Sequence, residues 1–151
     1  LYRLFDMDIC LFSASCVMPD IQFNIVVEAE KDTEMWIIPP CLYKELMQES
    51  AAVANYSNQL ISSRFSDVMW VMQQILFMSM DKRLAIFLLD EAAKNGSDTV
   101  KLTHEQIAKY MGSAREVVSR MLKYFASEGI ISSSRSEGIK ILDKRRLRSL
   151  V

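Results

Sequence analysis

The sequence is short of most residues that chemistry needs. It has one histidine, three cysteines and four glycines in 151 residues. The cysteines, Cys10, Cys16 and Cys41, make no Cys-x-x-Cys pair, and an odd count without an even framework fits a reducing, cytoplasmic setting. An iron–sulfur cluster calls for four thiolates, so Cys10 and Cys16, in expected strands, read as small buried hydrophobes. His104, the only histidine, falls in the first turn of an expected helix and reads as solvated, not as a metal ligand. There is no Ser/His/Asp set, no Gly-rich phosphate loop and no zinc spacing, so catalysis is not expected and no cofactor is. No charged-then-apolar leader is visible. The most apolar run, "VMWVMQQILFMSM" (68–80), holds two glutamines and is too short to span a bilayer, so no membrane partner is expected. Nor is there an internal repeat or a low-complexity tract.

What is present is ordinary for a globular chain: half the residues are apolar and a quarter charged. The first residue is not Met, and "LYRLFDMDICLF" already alternates like a strand. The chain therefore reads as a piece of a longer protein whose first domain is incomplete. Net charge is −1, but it is unevenly placed. Residues 101–151 hold eleven Lys/Arg against five Asp/Glu, a net of +6, while residues 1–100 hold seven against fourteen, a net of −7. The C-terminal third is suited to approach a polyanion.

Along the chain, "FNIVVEAE" (23–30) and "EMWIIP" (34–39) read as strands around a "KDT" turn. Pro39-Pro40 stops them, and a short helix over 41–49 follows, with proline suited to its first turn. From Ser50 to about Met80 no Gly or Pro interrupts. Ile61, Phe65, Val68, Met72 and Ile75 recur at spacings of four, three, four and three, a heptad seam that predicts a long helix with a partner along its side. Met69, Leu76 and Met78 widen the apolar surface near its end. A helix over 81–96 follows, with Asp81 as the expected N-cap and Asn95-Gly96 as the stop. "DTVKL" reads as a short strand. Thr103 with Gln106 forms a capping box ahead of the next helix. Residues 129–142 read as two strands around a polar hairpin, and "DKRRLRSLV" as a closing helical turn whose cations are available to phosphates.

Between 103 and 128 lie two helices joined at Gly112. A second helix can cross a first closely when a small residue lies inside the first, here Ala108, a Gly permits the turn four positions on, and a β-branched residue fills the joint six further, here Val118. In "SAREVVSRMLKYF" (113–125), Val118, Met121, Leu122 and Phe125 then face the core. Arg115, Glu116, Ser119, Arg120 and Lys123 are left outside, with Glu116 and Arg120 in ion-pairing order. A following hairpin makes the unit winged. Such a helix can enter the major groove N-terminus first, with Arg taking guanine O6 and N7 and a carboxylate accepting from cytosine N4.

"LTHEQIAKYMGSAREVVSRMLKYFASEGII" closely resembles the DNA-binding domain of the Crp/Fnr bacterial transcription regulators, in its Thr-led first helix, its turn Gly and its Arg-Glu-x-Val-x-Arg second helix. The resemblance covers about residues 98–142. It implies an α+β protein in three parts: the end of a cyclic-nucleotide-binding-like β-roll sensor over 1–40, a short helix and a long dimerisation helix over 41–80, and a winged helix-turn-helix over 81–151. It implies a homodimeric regulator of double-stranded DNA that, if an activator, also meets RNA polymerase. On it, Arg115, Glu116 and Arg120 take base-contacting positions, and Ser119 stands where the oxygen-sensing branch also has Ser. In the cyclic-AMP branch a Gly-Glu pair and an Arg-Ser pair hold the ribose and cyclic phosphate. Here Phe23-Asn24 takes the place of Arg-Ser and no Gly-Glu falls near "MDIC", so cyclic AMP is not the expected effector. The competing readings are a winged-helix protein-interaction module and a cyclic-nucleotide-responsive regulator.

Overall fold

The structure is a computed structural model that describes residues 3–5, 7–10, 26–134 and 136–151. Phe23-Asn24 and Cys16 lie outside the described residues. The chain divides into two compact units, which meet in sequence between Trp70 and Val71.

In the first unit, α1 (Pro40–Glu49) starts on Pro40, whose missing N–H is no loss in a first turn. Ser50 ends it and starts α2 (Ala51–Phe77): its hydroxyl accepts from the Val53 N–H at 3.4 Å. Ser57 is fully buried, donates to the Val53 carbonyl at 2.7 Å and thereby leaves its oxygen to the Tyr43 hydroxyl at 2.5 Å. That pair ties α1 to α2. Further along α2, Arg64 reaches the carboxylates of Asp8 at 3.1 Å and Asp67 at 3.2 Å. The covered stripe of α2 is Val53, Ser57, Leu60, Ile61 and Arg64.

The expected strand "EMWIIP" (34–39) is not found: described residues 26–39 form no strand. A strand is made by ladder hydrogen bonds to a neighbour, which apolar alternation cannot supply by itself. Trp36 is 99% exposed there.

The long helix is found, and ends at Phe77, three residues before the expected stop. Its 27 residues span about 40 Å. Of the seam residues, Ile61 is half-buried, while Phe65, Val68, Met72 and Ile75 are 46–66% exposed.

In the second unit, α3 (Met80–Lys94) packs its Leu84, Ala85, Leu88 and Ala92 stripe into the core. Its N-cap position is Ser79, not Asp81. Asp81 sits in the first turn, where the Ser79 side chain and the backbone N–H groups of Lys82 and Asp81 hold its carboxyl below the usual carboxylate range. Strand β1 (Thr99–Val100), α4 (His104–Met111), α5 (Arg115–Ser127), β2 (Ile131–Ser134), β3 (Gly138–Ile141) and α6 (Lys144–Ser149) follow. The sheet is antiparallel, ordered β1-β3-β2, with Thr99 opposite Lys140 and Ile131 opposite Ile141. Its inward residues Val100, Ile131, Ile139 and Ile141 close one side of a core whose other walls are Ile107, Val118, Leu122, Phe125 and Leu147.

Gly138 makes that sheet possible. Its φ is +88°, and a Cβ there would stand 2.7 Å from the Val100 carbonyl oxygen across the sheet. Gly112 also has positive φ, +59°, but open space beside it. Gly138→Ala is therefore expected to be the more destabilising of the two, by backbone strain of about 1–3 kcal/mol plus displacement of β1, whereas Gly112→Ala carries the strain alone. Urea unfolding of the two variants measures the difference, and equal losses would contradict the close approach.

The Asp81 carboxyl is depressed in the folded state, so its contribution is present above the unfolded carboxylate pKa and is lost as pH falls through the folded value. Asp81→Asn should lower stability at pH 7, and the loss should shrink as pH falls below the ordinary carboxylate range, in paired denaturation curves.

Candidate nucleic-acid interface

Thr103 starts the interface. Its hydroxyl accepts from the Gln106 N–H at 3.2 Å, and the Gln106 side-chain oxygen accepts from the Thr103 N–H at 2.8 Å. This capping box satisfies two otherwise orphaned donors and fixes His104 as the first residue of α4. At the other end, Gly112 turns left-handed, and the N–H of Ser113 returns to the Ala108 carbonyl at 2.9 Å. From α3, the Arg83 guanidinium donates to the Met111 carbonyl, placing a cation at the C-terminal end of α4, where the helix dipole favours one.

After three residues the chain enters α5. Ala108 is 5% exposed and Val118 not at all, so the two helices meet at the small residue and the β-branched one. Leu122 and Phe125 are buried on the same side, and Met121 packs beside them. With that face committed to the core, a 3.6-residue period sends Arg115, Glu116, Arg120 and Lys123 outward, and all four are exposed. None makes an ion pair or hydrogen bond among the described residues. The expected Glu116–Arg120 pair is thus not formed, although its spacing permits one; both side chains extend separately into solvent. Ala114, in extended conformation, offers no side-chain cap to α5, so the first backbone N–H groups of that helix are open to an anion.

Ser119 differs from its neighbours. It is half-buried, and its Oγ lies 2.9 Å from His104 Nδ1. The expectation that His104 is simply solvated is therefore incorrect: it is half-buried and bonded across to the second helix. Two signals for this contact were present in the sequence. The capping box puts His104 on the first turn of α4, and Ser119 falls on the flank of α5. Only the crossing of the helices brings them together.

The C-terminal cations divide. Lys144 is paired with Asp98, and Arg146 with the Glu128 carboxylate, its Nη1 also donating to the Glu128 carbonyl at 2.9 Å. Those two are engaged within the chain, which corrects the view that the whole "DKRRLR" tail is available to phosphates. Arg145 and Arg148 are exposed and without ion pairs among the described residues. Glu128 caps the C-terminal end of α5, so α6 stands at the opposite end of that helix from Arg115.

Among the described residues, no group of three or more His, Cys, Asp or Glu is placed to hold a metal, and no helix is long and apolar enough to cross a membrane. Cys10 is half-buried and Cys41 exposed.

This arrangement has counterparts. Residues 82–150 match the model of the Crp-like helix-turn-helix domain. A crystal structure from Eubacterium rectale, of a chain assigned to the transcriptional regulators of the Crp/Fnr family, is 56% identical and superposes with a TM-score of 0.86; the match covers 99% of this chain and 68% of that one. The chain belongs to the Crp/Fnr family. Its fold is shared by FixK2 from Bradyrhizobium japonicum, at 20% identity, TM-score 0.59 and coverage of 75% and 59% of the two chains. A Crp/Fnr regulator from Thermus thermophilus shares it too, at 23%, 0.58, and 67% and 55%. No curated protein matches. The α+β architecture with a C-terminal helix-turn-helix is therefore that of a Crp/Fnr transcription regulator, in which α4, Gly112 and α5 form the core of the DNA-binding domain.

Proposed function

We propose that this Crp/Fnr chain reads a two-fold-related DNA site as a homodimer, under the control of a sensor to which residues 1–40 belong. Residues 41–80 carry the dimer helix and residues 81–151 the DNA-binding unit. The observation that supports base reading most directly is the set of four unpaired, exposed side chains, Arg115, Glu116, Arg120 and Lys123, on the helix that α4 braces across Gly112. In this reading the N-terminal end of α5 enters the major groove. Arg115 and Arg120 take guanine O6 and N7, Glu116 accepts from cytosine N4, and Ser119 adds a hydroxyl. Lys123, a turn further on, meets phosphate, and the uncapped N–H groups of α5 meet another. An activator of this design would also present a surface to RNA polymerase. The effector is not cyclic AMP, since Phe23-Asn24 provides no cation for a cyclic phosphate.

Dimerisation is supported by the exposed seam of α2. A helix of about 40 Å that leaves Phe65, Val68, Met72 and Ile75 46–66% exposed is an unusual surface for a monomer. A copy of the same helix laid against it would cover the seam and set two α5 helices on half-sites about one DNA turn apart.

Base reading and phosphate holding separate by mutation. Arg120→Ala should cost about 1–3 kcal/mol on the preferred site and relax one position, whereas Lys123→Ala should weaken all sequences alike and reduce the salt slope by about 1. Glu116→Ala should relax discrimination at one base pair only. Binding-site selection on wild type and these variants measures this; equal losses on every sequence would make α5 a phosphate-gripping helix.

For the dimer, Met72→Glu places a charge in the seam. Sedimentation should find wild type dimeric at micromolar concentration and the variant monomeric. Affinity for a two-half-site duplex should fall by about 100-fold or more, through loss of the linked second contact. A monomeric wild type would rule out the α2 seam as the dimer contact.

A further inference from the structure

We infer that His104 is a specificity-positioning residue: it holds the Ser119 hydroxyl and sets whether that hydroxyl offers the DNA base a proton or a lone pair. The inference rests on the reading of α5 as the base-reading helix.

The geometry is specific. Serines inside helices commonly turn back onto the carbonyl four residues earlier, and two serines of α2 do so: Ser57 bonds the Val53 carbonyl and Ser66 the Ser62 carbonyl. Ser119 instead bonds sideways, to Nδ1 of His104 on α4, at 2.9 Å. His104 is itself anchored, because the Thr103–Gln106 capping box clamps the backbone on both sides of it. The two residues are half-buried beside exposed Arg115, Glu116 and Arg120. The hydroxyl is therefore fixed at the edge of the face that carries these side chains.

A serine hydroxyl has one proton and two lone pairs, and an imidazole nitrogen is either a donor or an acceptor. When Nδ1 is bare, the Ser119 O–H donates to it, and the hydroxyl presents lone pairs to an amino group such as cytosine N4 or adenine N6. When Nδ1 carries a proton, it donates to Oγ, and the released O–H can address guanine O6 or N7, or thymine O4. The charged residues nearest the pair along the chain are Lys101 and Glu105 flanking His104, and Arg115, Glu116, Arg120 and Lys123 on either side of Ser119 in α5. None is bonded to His104 among the described residues.

The test uses the full chain and four duplexes differing only at the base pair that Ser119→Ala perturbs. Wild type, Ser119→Ala, His104→Ala, His104→Asn and the Ser119→Ala/His104→Ala double variant are compared under one buffer condition. Thermal melts check that each variant is folded. His104→Ala should change the relative affinities for the four duplexes at the same base pair as Ser119→Ala, by about two- to tenfold, the worth of one hydrogen bond. The double variant should add nothing to Ser119→Ala. His104→Asn puts an amide atom where Nδ1 lies, so it should restore discrimination.

If Ser119→Ala shifts base preference and His104→Ala does not, or if His104→Ala lowers all four affinities equally, the inference is wrong and the base-reading role of α5 stands. If neither Ser119→Ala nor Arg120→Ala shifts any preference in binding-site selection, base reading by α5 fails, and the role of His104 fails with it.

Discussion

The close approach of α4 and α5 is the constraint from which the rest of the DNA-binding unit follows. Ala108 contributes almost no side-chain volume, Gly112 takes a left-handed turn that other residues enter only with strain, and Val118 seals the joint with no exposure. Once Val118 is inside, helical periodicity leaves no choice for its neighbours. Leu122 and Phe125 enter the same core, and Arg115, Glu116, Arg120 and Lys123 must point away from it. The polar face of α5 results from packing at the joint. The Arg83 guanidinium on the Met111 carbonyl and the Thr103 capping box hold the two ends of α4, so α5 is braced by a helix that is itself fixed at both termini.

Charge in the C-terminal third is divided between structure and surface. Lys144 and Arg146 have acidic partners drawn from the loop before β1 and from the end of α5. Exposed pairs of this kind contribute little individually, yet they remove two of the +6 segment's cations from competition for an external polyanion. Of the nine left, Arg115, Arg120 and Lys123 share α5, Arg145 and Arg148 lie on α6, and the other four are spread along the rest of the segment. Net charge therefore overstates how many cations are open to a polyanion, and the face of α5 is a better measure of it.

The N-terminal unit follows a different logic. The buried Tyr43–Ser57 hydrogen bond and the Asp8–Arg64–Asp67 cluster fasten one stripe of α2. Many of the remaining apolar positions of α2, like those of residues 26–38, stay largely exposed among the described residues. Apolar surface of this extent gains from being removed from solvent, which is the physical ground for the proposal that α2 pairs with a second copy.

The sequence alone determined the parts of the fold whose causes are local. Pro40 starts α1, the Thr103–Gln106 box starts α4, Gly112 ends it, and the period of Val118, Leu122 and Phe125 orients α5; each cause lies within a turn of its effect, and each is legible without a neighbour. The resemblance of residues 98–142 to the Crp/Fnr DNA-binding domain is carried by the same positions. The tertiary structure decided what depends on a distant partner. "EMWIIP" has the composition of a strand but forms none, because a strand needs a ladder. Ser79, not Asp81, stands at the N-cap position of α3, because where α2 ended was not a local matter. Glu116 and Arg120 have ion-pair spacing and remain apart, since each is solvated independently. Lys144 and Arg146 are held by acids 46 and 18 residues earlier, and His104 meets Ser119 only because two helices cross. Periodicity and capping are properties of a few consecutive residues, whereas a hydrogen bond between elements exists only when the packing of both has been settled.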